Sequence, residues 1–352
     1  MTSSLHRSRR AARVAIAAAL LPLSIIGELA AQSPSPYHQL ASYTLGGDGG
    51  WDYLTLDTAG HRLFVSRGDR VMVIDESSGK LLSEITGLHR THGIAFDYGA
   101  KHGFITASGD SSVTMFDLGT LAVLGTVKAD AGADALIFDQ GSGHAFSFNG
   151  GGNSATVIDG HTGRSIASIP LGGRPEFAAS DGKGKVYANL EDSSAIVEID
   201  TKTNRVTRHW SLAPCESPSG LAIDVAHHRL FSGCENKVMA ISDYDAGKVI
   251  ATVPIGKGVD ADRFDPGTGL AFSSNGEGSI TVVHEDGPSK FSVVQTVTTA
   301  PGARTMELDP ASHKLFTVTA RFGPAPEQAT PENPRRRPPI LPNSFVLLVF
   351  GQ

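Results

Sequence analysis

One short phrase recurs seven times along this 352-residue chain: an apolar pair, an aspartate, a turn of four or five residues, then an apolar–aromatic strand. The aspartates are Asp57, Asp97, Asp139, Asp181, Asp224, Asp265 and Asp309, spaced 40, 42, 42, 43, 41 and 44 residues apart. A period in the low forties is the signature of a β-propeller with one blade per repeat. The chain therefore reads as an all-β, seven-bladed β-propeller. The architecture decides which residues from distant repeats meet in space. It leaves function open, because propellers carry many unrelated activities.

The first copy shows the unit. Leu54-Thr55-Leu56-Asp57 alternates, then stops at Thr58-Ala59-Gly60-His61. Arg62 to Ser66 is β-branched and aromatic, Arg67-Gly68-Asp69 turns, Val71 to Asp75 is a third strand, and Lys80 to Ile85 a fourth. Four short strands divided by Gly, Asp and Ser turns make one antiparallel blade. The third strand recurs at 113–117, 155–159, 196–200, 238–242 and 280–284, and reads as losing its terminal aspartate in the last two copies. No stretch beyond the N-terminal segment has a helical period. The seventh repeat offers only three strands, the last at 344–350. The unpartnered segment Gln39–Leu45 is predicted to supply the fourth, closing the ring and removing exposed sheet edges.

The run Lys185-Val186-Tyr187-Ala188-Asn189, followed by Ile196 to Val206, resembles the bacterial YVTN-repeat, YncE-like seven-bladed propellers. The likeness extends over almost all of residues 39–350. It implies an exported protein. One branch of that family is reported to bind DNA, and others serve as surface-layer or binding modules. The Gly-His and Trp-Asp marks of tryptophan–aspartate repeats are absent as a pattern; the single Trp51-Asp52 pair lies at the wrong end of a blade.

Residues 1–31 read as a secretory signal peptide. Arg7, Arg9, Arg10 and Arg13 form a basic start, and Val14 to Ile26 is an apolar stretch too short to span a bilayer. Ala30-Ala31 offers a cleavage site. The rest, residues 32–352, is expected to be one propeller domain, periplasmic or secreted and monomeric, with no later membrane span. Without the signal the formal charge is about −9, which argues against a nucleic-acid partner. The only two cysteines, Cys215 and Cys234, map to one face of the fifth blade. An exported chain permits their oxidation, so a disulfide is predicted.

Inner strands line a propeller's channel, and the position five residues before each aspartate lies at its mouth. Those positions hold Asp52, His92, Asp134, Glu176, Ser219, Asp260 and Arg304, six of them ionisable. The repeat register alone gathers them about one axis. Asp52, His92, Asp134, Glu176 and Asp260 form a donor set for a divalent metal ion, hard or mixed O/N. Crowded carboxylates also raise one another's pKa, which would place an acid beside a base. Arg304 can neutralise part of the ring or hold a substrate carboxylate. His89, close to His92 in sequence, is a further candidate for the mouth.

Second-strand tips on the same face carry Arg67, Asn149, Glu191, Asn275 and Arg321. The last blade holds a Pro-rich insertion, residues 322–343, with Arg335-Arg336-Arg337, readable as a lid, a docking peptide or an overgrown loop. His61, His102, His144, His228 and His313 recur at turns on the opposite face, too scattered for one metal site. Gly150-Gly151-Gly152 reads as a plain loop, since no helix follows it. Three functions fit: a binding module for a small-molecule or protein ligand at the mouth; a metal-assisted hydrolase, lactonase or lyase using the acidic ring; and, by resemblance only, a DNA-binding propeller.

Overall fold

The computed structural model describes residues 1–2, 36–330 and 336–352. The predicted signal peptide beyond its first two residues lies outside the described residues, as does Arg335. Among the described residues there are 28 strands and no helix, and the strands form seven four-stranded antiparallel sheets. Among the described residues no helix is long and apolar enough to cross a membrane. In the first blade the strands are Leu54–Asp57, Arg62–Ser66, Arg70–Asp75 and Leu81–Thr86, in that spatial order. Six blades are consecutive meanders of this kind. The seventh orders its strands as Met306–Asp309, Lys314–Thr319, Val346–Gly351 and then His38–Thr44. The N-terminal segment thus closes the ring as the sequence requires, with Tyr43 opposite Leu347.

The repeated aspartates are turn caps. Each accepts at least one backbone N–H of the turn that follows, for example Gly60 N to Asp57 at 3.1 Å and Ala311 N to Asp309 at 3.0 Å. The same holds at Asp97, Asp139, Asp181, Asp224 and Asp265. Each turn delivers one aromatic to the middle of the second strand: Phe64, Phe104, Phe146, Tyr187, Phe231, Phe272 and Phe316, all at most 2% exposed. Tyr187 comes one residue early because its turn is one residue shorter. Burying each ring contributes roughly 2–3 kcal/mol and fills the space between blades.

Two strand boundaries depart from the sequence reading. The fifth blade's third strand is Val238–Asp243, so its terminal aspartate is present. Asp243 accepts Ala246 N at 2.9 Å, as its counterparts do; the reading was one residue out of register. In the sixth blade the third strand runs on to Gly287, because the hairpin keeps pairing past His284 to Lys290.

Cys215 and Cys234 form the predicted disulfide, with Cα atoms 5.6 Å apart. The closing strand is pinned by Tyr43, whose hydroxyl donates to Ser77 O at 2.6 Å. Its ring lies over Gly79, where an added Cβ would sit 2.3 Å from it. Gly79 also has φ +67°, so both space and backbone demand glycine there.

Candidate functional site at the channel mouth

The mouth is built by a repeated backbone irregularity. In blades two to six the inner strand spends three residues where its partner spends two, as in Thr91↔Ala107 followed by Ile94↔Ile105. The same bulge occurs between Ala133 and Leu136, Pro175 and Ala178, Pro218 and Leu221, and Val259 and Asp262. The ring residues His92, Asp134, Glu176, Ser219 and Asp260 are therefore bulge residues. A bulge re-aims side chains and leaves backbone groups unpaired. Several freed carbonyls are taken up by neighbouring blades. Ser66 donates to His92 O, Thr106 to Asp134 O at 2.5 Å and Asn189 to Ser219 O at 3.0 Å; in the unbulged seventh blade Ser274 likewise donates to Arg304 O. Blade-to-blade clamping thus fixes the ring's backbone.

The structure brings the predicted ring together. Arg304 Nη1 lies 2.5 Å from Asp260 Oδ1, and its Nη2 lies 3.6 Å from Asp52 Oδ1. Asp52 hydrogen-bonds His92 Nδ1, which also lies 3.4 Å from Asp134 Oδ1. His92 Nε2 meets Ser108 Oγ at 2.8 Å. Ser219 Oγ donates to Asp260 O at 3.2 Å, so this uncharged member only braces its neighbour. The chain Asp260–Arg304–Asp52–His92–Asp134 accounts for both cations. Glu176 is left with no hydrogen bond or ion pair among the described residues.

Electrostatics follow from that count. Burial pushes the Glu176 carboxyl up to about 9, helped by the negative charges of Asp134, Glu191 and Asp260. Asp134 rises to about 6: burial, Asp52 and Asp260 push it up against the pull of His92. Burial alone would lower His92, but the hydrogen bond to Asp52 and the charges of Asp134 and Asp52 hold it above its ordinary value. Arg304 is held above its ordinary value chiefly by Asp260, so that pair is ionic.

One layer deeper lies a floor that the sequence reading missed. The residues four before each repeat aspartate are Tyr53, Gly93, Ala135, Phe177, Gly220, Ala261 and Thr305. Five are small; the two aromatics, from blades one and four, meet across the channel with ring centroids 4.8 Å apart. Tyr53 is 8% exposed, and its hydroxyl has no hydrogen-bond partner among the described residues. Burial and then the fields of Asp134, Glu176, Asp52 and Asp260 hold its pKa well up. The repeat offset that located the ring would have located this layer too. Beyond the floor, a cavity of about 420 Å³ contains the ion pair Arg263 Nε–Glu307 Oε1 at 2.9 Å, which satisfies itself.

Beside the ring a second cavity, of about 360 Å³, is bounded by His92, Asp134, Arg90, Arg174, Gly150 and Gly151. His89 is outside the ring, paired with exposed Asp110 at 3.0 Å. Of the second-strand tips, Arg67, Asn149 and Asn275 are fully buried. Arg67 donates to Gly49 O at 2.7 Å, Asp48 O at 3.0 Å and Gly47 O at 3.1 Å, and stacks on Phe345, so it secures the entry loop. Glu191 lies 3.2 Å from Arg174, and Arg321 is exposed. The stem of the Pro-rich insertion pairs Phe322 with Ile340, and Phe322 packs 6.1 Å from Trp51, next to ring residue Asp52. The turn histidines have local roles, such as His61 with Glu76 at 2.9 Å and His313 with Asp265 at 2.7 Å.

No protein-family model matches the chain, and no curated protein matches it. The solved structure of U3-55K is similar in fold, with a TM-score of 0.70 at 10% identity over 87% of this chain and 97% of that one. That neighbour is a propeller too. At this identity the likeness shows the fold alone.

Proposed function

We propose that this protein is an exported propeller of the YVTN-repeat kind, binding a positively charged group of a small ligand or partner through its channel-mouth ring. Glu176 carries the reading. It is a largely buried carboxyl among Asp134, Glu191 and Asp260, and the ring's own cations are spent elsewhere. A cation entering the mouth would favour release of the Glu176 proton and leave a carboxylate to accept its hydrogen bonds. Export is supported by the basic–apolar N-terminal sequence and by the disulfide, a bond that persists in oxidising compartments. The resemblance at residues 185–206 supports the finer family. A nucleic-acid role rests on resemblance alone, and the acidic mouth opposes it.

The test is a thermal-shift screen of the purified protein with methylammonium, Ca²⁺, Mn²⁺ and Zn²⁺. At least one should stabilise the wild type, and Asp134→Asn with Glu176→Gln should abolish the effect. An unchanged response in that double variant would make the ring purely structural.

One observation favours a second reading. A donor atom from each of Asp52, His92 and Asp134 lies within 4.8 Å of the others, a set suited to Zn²⁺ or Mn²⁺. A metal-assisted hydrolase, lactonase or lyase would use it. Purified protein free of metal and indifferent to chelator would remove this reading.

A further inference from the structure

The cavity beside the ring carries both signs of charge. On its inner side stands Asp134, with Glu176 next in the ring; on its rim stand Arg90 and Arg174. Arg90 is exposed and makes no side-chain hydrogen bond or ion pair among the described residues. Arg174 reaches only Glu191, through Nε at 3.2 Å, and leaves both Nη groups without an acceptor. Arg304 is the arginine paired within the ring; Arg174 acts on Asp134 and Glu176 only as a nearby charge, with no hydrogen bond or ion pair to either.

The wall between the two arginines is bare backbone. A Cβ on Gly132 would stand 2.7 Å from Gly151 N, and one on Gly151 3.0 Å from Ala131 O. These two loops touch and admit no side chain, so the cavity stays open. The Gly150–Gly152 run, read from sequence as a plain loop, is this wall.

A simple cation would gain from the ring and be repelled by two arginines. A simple anion would meet the reverse. Complementary potentials select a ligand bearing both charges, and like-charge contact penalises the rest. Resting on the mouth-binding reading above, we infer that the ligand is a small amino-acid-type zwitterion, its ammonium in the acidic ring and its carboxylate on Arg90 and Arg174. A volume of about 360 Å³ suits one or two residues of such a molecule. Guanidinium groups with free N–H pairs suit a carboxylate, which they bind in bidentate fashion.

The test is calorimetric titration of the full chain at pH 7 and matched ionic strength. The probes are L-alanine, L-alanyl-L-alanine, methylammonium, acetate and inorganic phosphate. One of the two zwitterions should bind at least tenfold more tightly than methylammonium, and the better of the two tells free amino acid from peptide. Acetate and phosphate should be silent. Arg90→Gln, an exposed and conformationally neutral change, should bring the zwitterion down to methylammonium's affinity and leave methylammonium no weaker. If methylammonium binds as tightly as the zwitterions, or Arg90→Gln changes nothing, the inference falls while cation binding at the mouth survives. If phosphate binds best, or no probe binds, both fall.

Discussion

Replacing Glu176 with glutamine should make the protein more stable, by a margin that grows with pH. The Glu176 carboxyl is pushed from 4.5 to about 9 by burial and by Asp134, Glu191 and Asp260. A carboxyl raised in the folded state binds its proton more tightly there than in the unfolded chain. Folding therefore loses stability as pH climbs from the unfolded value through the folded one. The slope from this one group approaches about 1.4 kcal/mol per pH unit, so at pH 7 the cost is about 3 kcal/mol. Glutamine keeps the shape and the hydrogen-bonding ends but cannot ionise. Melting temperatures of wild type and variant, measured at pH 5, 6, 7 and 8 in buffers of equal ionic strength, isolate the effect by difference. His92 and Asp134 titrate in both proteins and largely cancel. For a domain of this size each kcal/mol moves the midpoint by roughly 1–2 °C, so the gap should widen by about 4–8 °C between pH 5 and pH 8. A gap that stays constant across the series would refute the claim that Glu176 is an unrelieved buried acid.

Other consequences follow from the scaffold. Cys215→Ser should cost about 3 kcal/mol, as expected for a bridge between residues 19 apart, and reductant should lower the wild-type midpoint to match. Arg67→Met removes a fully buried guanidinium from three backbone carbonyls and should cost about 3–5 kcal/mol by urea denaturation, with earlier proteolysis in the 46–50 loop. Gly93→Ala places a Cβ 2.5 Å from Leu136 N, so overpacking between blades two and three should cost about 2 kcal/mol, read as a lower melting midpoint.

Much of this molecule was written in its repeat. The spacing of seven aspartates led to the blades, the N-terminal closing strand, the neighbouring cysteines and the ring from Asp52 to Arg304, because each depends only on register. Register also has a limit: taken from Val238 the third-strand phrase of the fifth blade ends at Ser242, whereas the strand itself runs to Asp243. What register cannot supply is the direction of a side chain. Arg67 and Arg321 both stand at second-strand tips, yet one is buried under the entry loop and the other is exposed. The pairing of Arg304 with Asp260, which leaves Glu176 without a cation, depends on reach across the axis rather than on spacing. The arginine rim needed the structure for the same reason. Arg90 and Arg174 lie 84 positions apart in the sequence, in loops that differ from blade to blade.

The central claim is that the mouth ring accepts a cation at Glu176, and proton release tests it most directly. At pH 7 a carboxyl held up to about 9 is protonated, and a bound cation must displace that proton to gain the carboxylate. Titrating whichever cation binds into the protein, in two buffers of different ionisation enthalpy, counts the protons. The account predicts close to one proton released per ligand in the wild type and close to none in Glu176→Gln. Binding without proton release in the wild type would contradict it.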